Sequence, residues 1–181
     1  MALLELLKQR KSVRNFLDRP VEREKILMCL EAARVAPSAC NSQPWKFIIV
    51  DDRELKNKLC KKAFGGIYAI NSFCRTAPVI VAVVSEKSRF LARIGGMFRG
   101  TKYYLIDIGI AGEHFVLQAE DLGLGTCWIG WFNESAVKSM LNIPQSKKVD
   151  ILLALGYYDK EKVKSEHDRE PLDKIASFSS Y

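Results

Sequence analysis

Two short segments near the N-terminus carry residue types suited to binding chemistry. The first, Arg10-Lys-Ser-Val-Arg14, puts three cations and a hydroxyl within five residues, just after the apolar-rich Ala2–Leu7. Clustered arginine with a serine hydroxyl suits a phosphate monoester, because charge-assisted and bidentate hydrogen bonds to phosphate are strong. Arg14 follows Arg10 by four positions, so the two share a side if the helix continues that far. A solvated basic helix end accounts for the same residues, since cations are also favourable at a helix C-terminus. The second segment is Pro37-Ser-Ala-Cys-Asn-Ser-Gln-Pro-Trp45, which leads into the apolar run Phe47-Ile-Ile-Val50. A helix, a polar turn and a buried strand in that order display backbone N–H groups and amides on a rigid platform. Serine and asparagine there suit a planar, hydrogen-bonding ligand, because an amide donates and accepts side by side. An ordinary helix-to-strand loop is the alternative.

A third segment, Gly123-Leu-Gly-Thr-Cys-Trp-Ile-Gly-Trp-Phe132, contains G-x-G in the wrong setting for a dinucleotide fingerprint. That motif needs a strand before it and a helix after it. Here a helical stretch precedes and a strand-like run follows. The glycines instead end a helix and let backbone approach a flat ligand. A plain cap before a core strand is the alternative.

The elements that must position these segments follow from periodicity. Helices are expected at Ala2–Gln9, Glu22–Val35, Arg53–Lys62, Thr101–Leu122 and Glu134–Leu141. In the second, Ile26, Leu27, Leu30 and Ala33 form the apolar stripe. Strands are expected at Lys46–Val50, Pro78–Val84, Cys127–Phe132 and Val149–Leu155, the second a continuous apolar run and hence buried on both faces. Gly65-Gly66 breaks the chain before a short helical piece ending near Phe73. The Thr101–Leu122 helix is apolar on most sides, which places it centrally or at an interface. Interleaved strands and helices, with helices dominating, argue an α+β fold. At 181 residues the chain reads as one domain, 1–181. Its polar tail, 159–181, carries a solitary Leu172–Phe178 apolar patch that suggests docking.

Composition narrows the class. No apolar run approaches the ~18–20 residues of a membrane span. The start is charged too soon for a signal peptide, so export is not expected. Cys29, Cys40, Cys60, Cys74 and Cys127 form no C-x-x-C pair and read as reduced thiols of a cytoplasmic protein. Cys127 lies in a ligand-facing segment, but a small buried hydrophobe is its expected role. The net charge of +7 is scattered, and no nucleic-acid-binding signature accompanies it. A basic surface instead favours anionic substrates such as a nicotinamide dinucleotide. Nothing has metal-ligand spacing. His114, Tyr103 and Tyr104 read as packed residues with satisfied polar atoms.

Taken in order, these pieces resemble the nitroreductase superfamily of FMN-dependent oxidoreductases. The resemblance runs from Arg10-Lys-Ser-Val-Arg14 through Ala32–Trp45, Ala77–Val83, Asp107–Ala111, Gly123–Gly130 and Ala154–Tyr157 to Arg169-Glu-Pro-Leu172, and the length suits the shorter members. It implies a mixed, mainly antiparallel sheet wrapped by helices in an intertwined homodimer. Two FMN sites would lie at the subunit interface, with Thr101–Leu122 as the dimer helix and the C-terminal tail embracing the partner. Roles carried over on matching positions give Arg10, Lys11, Ser12 and Arg14 to the FMN phosphate and pyrimidine. The family often has a second arginine or a histidine at position 11. Pro37, Ser38, Ala39 and Asn41 resemble the segment under the isoalloxazine and ribityl from the other subunit. Asn71 matches an amide against the pyrimidine. Trp128, Ile129 and Gly130 match the strand over the dimethylbenzene-to-N5 side, with the Gly130 N–H aimed at N5. Arg169 matches a tail arginine that returns to the phosphate, and His167 stands where some relatives place a further cation.

The implied mechanism is ping-pong hydride transfer from NAD(P)H through flavin to a small-molecule electron acceptor, a nitroaromatic or quinone, with no catalytic side chain named. Specialised relatives use the same flavin for dehalogenation, enone reduction or flavin fragmentation. The acidic, Tyr and Lys lid of dehalogenating relatives is not clear in Lys87–Gly100. Arg93 and Arg99 of that segment suggest a mobile basic lid over a nucleotide phosphate. A non-enzymatic flavin- or nucleic-acid-binding protein is the remaining alternative.

Overall fold

The computed structural model describes residues 2–86, 100–163 and 168–181. Arg93, Arg99 and His167 lie outside them, as does all of the Lys87–Gly100 segment but Gly100. In chain order the elements are α1 (Leu3–Gln9), α2 (Arg23–Arg34), β1 (Trp45–Val50), α3 (Arg53–Ala63), β2 (Val79–Ser85), α4 (Tyr103–Asp121), β3 (Gly125–Ile129), α5 (Glu134–Met140), β4 (Lys148–Gly156) and α6 (Leu172–Ile175). The short helical piece expected after Gly65-Gly66 is a 3-10 run over Gly66–Thr76, kinked at Asn71.

The strands pair in the order β1-β2-β4-β3, and every pairing is antiparallel. The parallel component of the sheet is one bridge, Ser12 to Thr126. Both faces of the sheet are covered, so β2 reads as an unbroken apolar run. Val79, Val81 and Val83 face one core, with Ile26, Cys29 and Ala33 of α2 and Ile108, Ala111 and Phe115 of α4. Ile80, Ala82 and Val84 face the other, with Leu59, Cys60 and Ala63 of α3 and Val137 of α5. The two-residue alternation of a strand sorts the side chains between these layers.

Local chemistry sets the boundaries. Asp52 caps α3 by accepting from the Leu55 N–H at 2.7 Å, and Asn133 caps α5 by accepting from the Ala136 N–H at 3.0 Å. Gly123, at φ +76°, ends α4. There the Leu124 N–H reaches Ala119 O and the Gly123 N–H reaches Glu120 O, the paired bonds of a left-handed helix stop. The strand expected at Cys127–Phe132 is displaced: β3 begins at Gly125 and stops at Ile129, so Gly130 and Trp131 emerge exposed from the sheet.

Within the single chain α4 is covered on part of its circumference. One side is buried against the sheet, while Leu105 and Ile106 are 42% and 52% exposed. α1 packs against α4 and buries none of its own residues, leaving Leu3, Leu4 and Leu7 largely in solvent.

Candidate functional site

The basic segment is extended, because the first helix stops at Gln9 as its periodicity predicts, so Arg10 and Arg14 do not share a helix face. α1 ends at Gln9, and Arg10 caps it with φ −56° and ψ 126°. The chain then runs beside β3, where Ser12 bridges Thr126 and the Val13 N–H donates to Thr126 O at 2.8 Å. Val13 is fully buried. Arg10 and Arg14 both act electrostatically on the Cys127 thiol of β3 and partly offset the upward push of burial on it. Arg14 is exposed, and its guanidinium donates to Ser12 O at 3.4 Å. Lys11 is directed elsewhere. It lines a separate depression of about 410 Å³ with Lys8, Gln9, Glu120, Tyr158 and Lys160.

Trp128 stands beside this cationic edge. Its indole lies on the bare Cα of Gly112, where an added methyl would meet Cη2 at 2.3 Å. Its side chain also hydrogen-bonds Glu113, whose carboxylate lies 3.8 Å from Arg10 Nε. Burial raises the Glu113 pKa, and Arg10 works against that shift. Ile129 is turned into the core at 2% exposure, so its main chain alone faces the site. Gly130 is exposed, with only Ile151 Cδ1 at 3.7 Å from where a methyl would stand. That opening lets a flat group approach the backbone. Asn71 joins this end, because its Nδ2 donates to Trp131 O at 2.8 Å. Trp131 Nε1 donates to Ile67 O at 3.1 Å, and the Trp131 and Tyr68 rings lie 5.1 Å apart. Trp131, Ile67 and Ile70 are 55%, 74% and 81% exposed and form an apolar wall beside Asn71.

The Pro37–Trp45 segment is a strained, pinned loop. Cys40, Asn41 and Gln43 all have positive φ, a conformation that costs non-glycine residues energy and persists only where surroundings enforce it. The enforcing group is Asp107 of α4, 4% exposed. Its carboxylate accepts from the Ala39 N–H at 3.0 Å and from Ser42 Oγ at 3.4 Å. Ser38 Oγ accepts from the Gln43 N–H, and Asn41 Oδ1 accepts from Gln43 Nε2 at 2.9 Å. Pro37 and Asn41 are exposed.

The sequence-predicted residues therefore fall into separate groups. Arg10, Ser12, Arg14, Trp128, Ile129, Gly130 and Asn71 gather along β3 and the 3-10 run. Pro37, Ser38, Ala39 and Asn41 are held by Asp107, six residues before Glu113 on the same helix. At 3.6 residues per turn those two carboxylates point about 120° apart around α4. Arg169 is exposed on the tail and has no hydrogen-bond or ion-pair partner among the described residues.

Other reactive groups are accounted for structurally. His114 Nδ1 lies 3.1 Å from Ala32 O, which ties α4 to α2. Burial pushes the Cys29 and Cys60 thiols up to about 12 and about 11, so neither is a nucleophile near neutral pH. Among the described residues no His, Cys, Asp or Glu cluster could hold a metal ion, and no helix is long and apolar enough to cross a membrane. Asp107 and Trp131 stand within the quoted motifs without an assigned role, and Glu113 lies outside them. A lone carboxylate in an apolar helix was the available signal for Asp107.

Known proteins share this fold. The Nitroreductase family model matches residues 7–71 and 66–157. A nitroreductase family protein of Clostridium difficile 630 has a solved structure that superposes with a TM-score of 0.81 at 32% identity, covering 100% of both chains. An FMN-dependent nitroreductase of Clostridium difficile R20291 gives 0.78 at 28% identity, covering 98% of this chain and 99% of that one. A Methanothermobacter thermautotrophicus protein, named provisionally as an NADH dehydrogenase/NAD(P)H nitroreductase, is 31% identical over 161 residues, 87% of this chain and 78% of its own. Motif order, sheet topology and these matches agree, and the chain belongs to the Nitroreductase family.

Proposed function

We propose that this protein is an FMN-dependent oxidoreductase that takes electrons from NAD(P)H and passes them to a small electrophilic acceptor such as a nitroaromatic or a quinone. The observation that carries this reading is the Ser12–Thr126 bridge, which sets the Arg10–Arg14 segment alongside β3 and its Trp128–Gly130 end. The residues present fit the group. Arg10 and Arg14 are cations suited to a phosphate. Trp128 offers a flat aromatic body, and the open space at Gly130 admits a ring against backbone. The flavin, when bound, supplies the hydride chemistry, while the protein supplies position and electrostatics. Arg10 and Arg14 would hold the phosphate end and favour an anionic ligand. The Gly130 main chain would border the flavin ring, and Asn71, its Nδ2 held by Trp131 O, would offer it an amide oxygen. Trp131, Ile67 and Ile70 form a water-excluding wall for a flat acceptor.

A second copy of the chain completes the site in this reading. The Asp107-pinned loop and the arginine segment lie on different sides of α4, so Pro37–Asn41 would reach the flavin of a partner. Exposed Leu105 and Ile106 on α4, with Leu3, Leu4 and Leu7 on α1, supply an apolar face for that partner. The exposed tail, with Leu172, Ile175 and Phe178, would lie across it and bring Arg169 to a phosphate.

A Thermotoga neapolitana iodotyrosine deiodinase, 28% identical across 90% of this chain and 91% of its own length, keeps reductive dehalogenation as a second reading. The test is a visible absorbance spectrum of purified protein before and after anaerobic NADPH, then NADH. A flavin spectrum that bleaches with either nucleotide is expected. Absence of flavin after incubation with FMN would overturn the proposal. Acceptor assays with a nitroaromatic, a quinone and a halotyrosine then separate the two readings.

A further inference from the structure

A cavity of about 660 Å³ lies between the 16–21 segment, the start of α3 and the end of the 3-10 run. None of its lining residues belongs to the flavin groups described above. Lys56, Arg75 and Asn57 line it, together with Phe16, Val21, Pro78 and Val79. Its volume falls within the ~300–1,000 Å³ range of small-molecule sites.

Lys56 is the unusual member. The residue is 6% exposed, yet among the described residues its ammonium has a single acceptor, the Arg75 main-chain oxygen at 2.9 Å. Among the described residues no carboxylate comes within ion-pair distance of it. A buried ammonium is costly unless a counter-charge or several hydrogen bonds compensate. Arg75 stands beside it and also has no ion-pair partner among the described residues. The charges of both reach the nearby Cys60 thiol, where they oppose its upward shift. The third cation of the cavity, Arg53, is already paired with Asp18 at 3.1 Å.

We propose that this cavity is a second ligand site, taking a small organic anion with a carboxylate or phosphate head on a compact apolar body. The head neutralises Lys56 and Arg75 and accepts from Asn57. The body lies against Phe16, Val21, Pro78 and Val79. Asp18 and Asp51 line the same cavity and weigh against a polyanion, which would have to approach them.

The test uses protein saturated with FMN, so that the arginine segment beside β3 is occupied. Benzoate, phenyl phosphate and the neutral benzyl alcohol are titrated calorimetrically against wild type, Lys56→Met and Arg75→Gln. The expected result is one-to-one binding of at least one anion, weakened by roughly tenfold or more in each variant, the loss of a charge-assisted bond. The preferred anion tells a carboxylate site from a phosphate site. If Lys56→Met does not fold, the exposed Arg75→Gln carries the comparison. Absence of binding by either anion, undiminished binding in Arg75→Gln, or equal binding of benzyl alcohol would each overturn the proposal. FMN retention is measured separately, so failure here leaves the flavin reading standing.

Discussion

The Trp128 indole rests directly on the Cα of Gly112, and only a residue without a side chain can occupy position 112 beneath it. This contact fixes the aromatic plate at the edge of the candidate flavin site. Gly112→Ala would place a methyl 2.3 Å from the ring, so the indole must move. The expected outcome is a loss of about 1–3 kcal/mol in stability, the usual cost of overpacking. Flavin retention should weaken with it, as read by denaturant unfolding and by flavin content after gel filtration.

Arg14→Ala removes an exposed cation that the proposed phosphate would use. FMN affinity should fall by about 1.5–3 kcal/mol, the range for hydrogen bonds to charged groups. Fluorescence titration of the apoprotein reads this directly. Equal affinity in the variant would reduce the basic segment to a solvated strand-like edge.

Asp107→Ala should release the strained Ala39–Gln43 loop. The substitution leaves the half-buried Ala39 N–H without its acceptor, at a cost of about 1 kcal/mol. Backbone amide exchange in residues 38–43 should accelerate. The Arg10 segment, on another side of α4, should keep its protection.

Asp150 carries the clearest pH signature. It is the extra residue at the irregularity between β2 and β4, and both carboxylate oxygens are buried, with Ser85 and Lys148 the neighbours among the described residues that favour their charge. Burial raises its pKa in the folded state. A raised folded value means the fold prefers the protonated form. The stabilising contribution is full below the unfolded value, near ~3.9, and is lost as pH rises through the folded value. Asp150→Asn should therefore be more stable than wild type at neutral pH, with the gain shrinking as the solution is acidified. Thermal melts of both proteins across that window check the sign.

Ile106→Glu tests the proposed second copy. Wild type should sediment as a dimer at micromolar concentration. The variant, with a charge on the exposed apolar side of α4, should shift towards monomer and lose flavin in proportion. A wild-type monomer with full flavin would contradict a shared site.

The amino-acid sequence by itself determined the element order, because periodicity and cap chemistry are local. The run Val79–Val84 could only be a strand buried on both faces, and Gly123 could only stop a helix before β3. Motif order was equally local, which is why the family was legible. The Arg10–Arg14 path was not, since four-residue spacing fits a helix turn and an extended alternation alike. Only pairing with Thr126, 114 positions beyond Ser12, chose between them. Tertiary structure alone decided that Asp107 would clamp Ala39, that Trp128 would sit on Gly112, and that Lys11 would leave the arginines for another depression. It also decided that Lys56, an ordinary surface lysine by sequence, would be buried beside a cavity. Each of these depends on which faces the sheet brings together, and that is a property of long-range packing, not of any window of the chain.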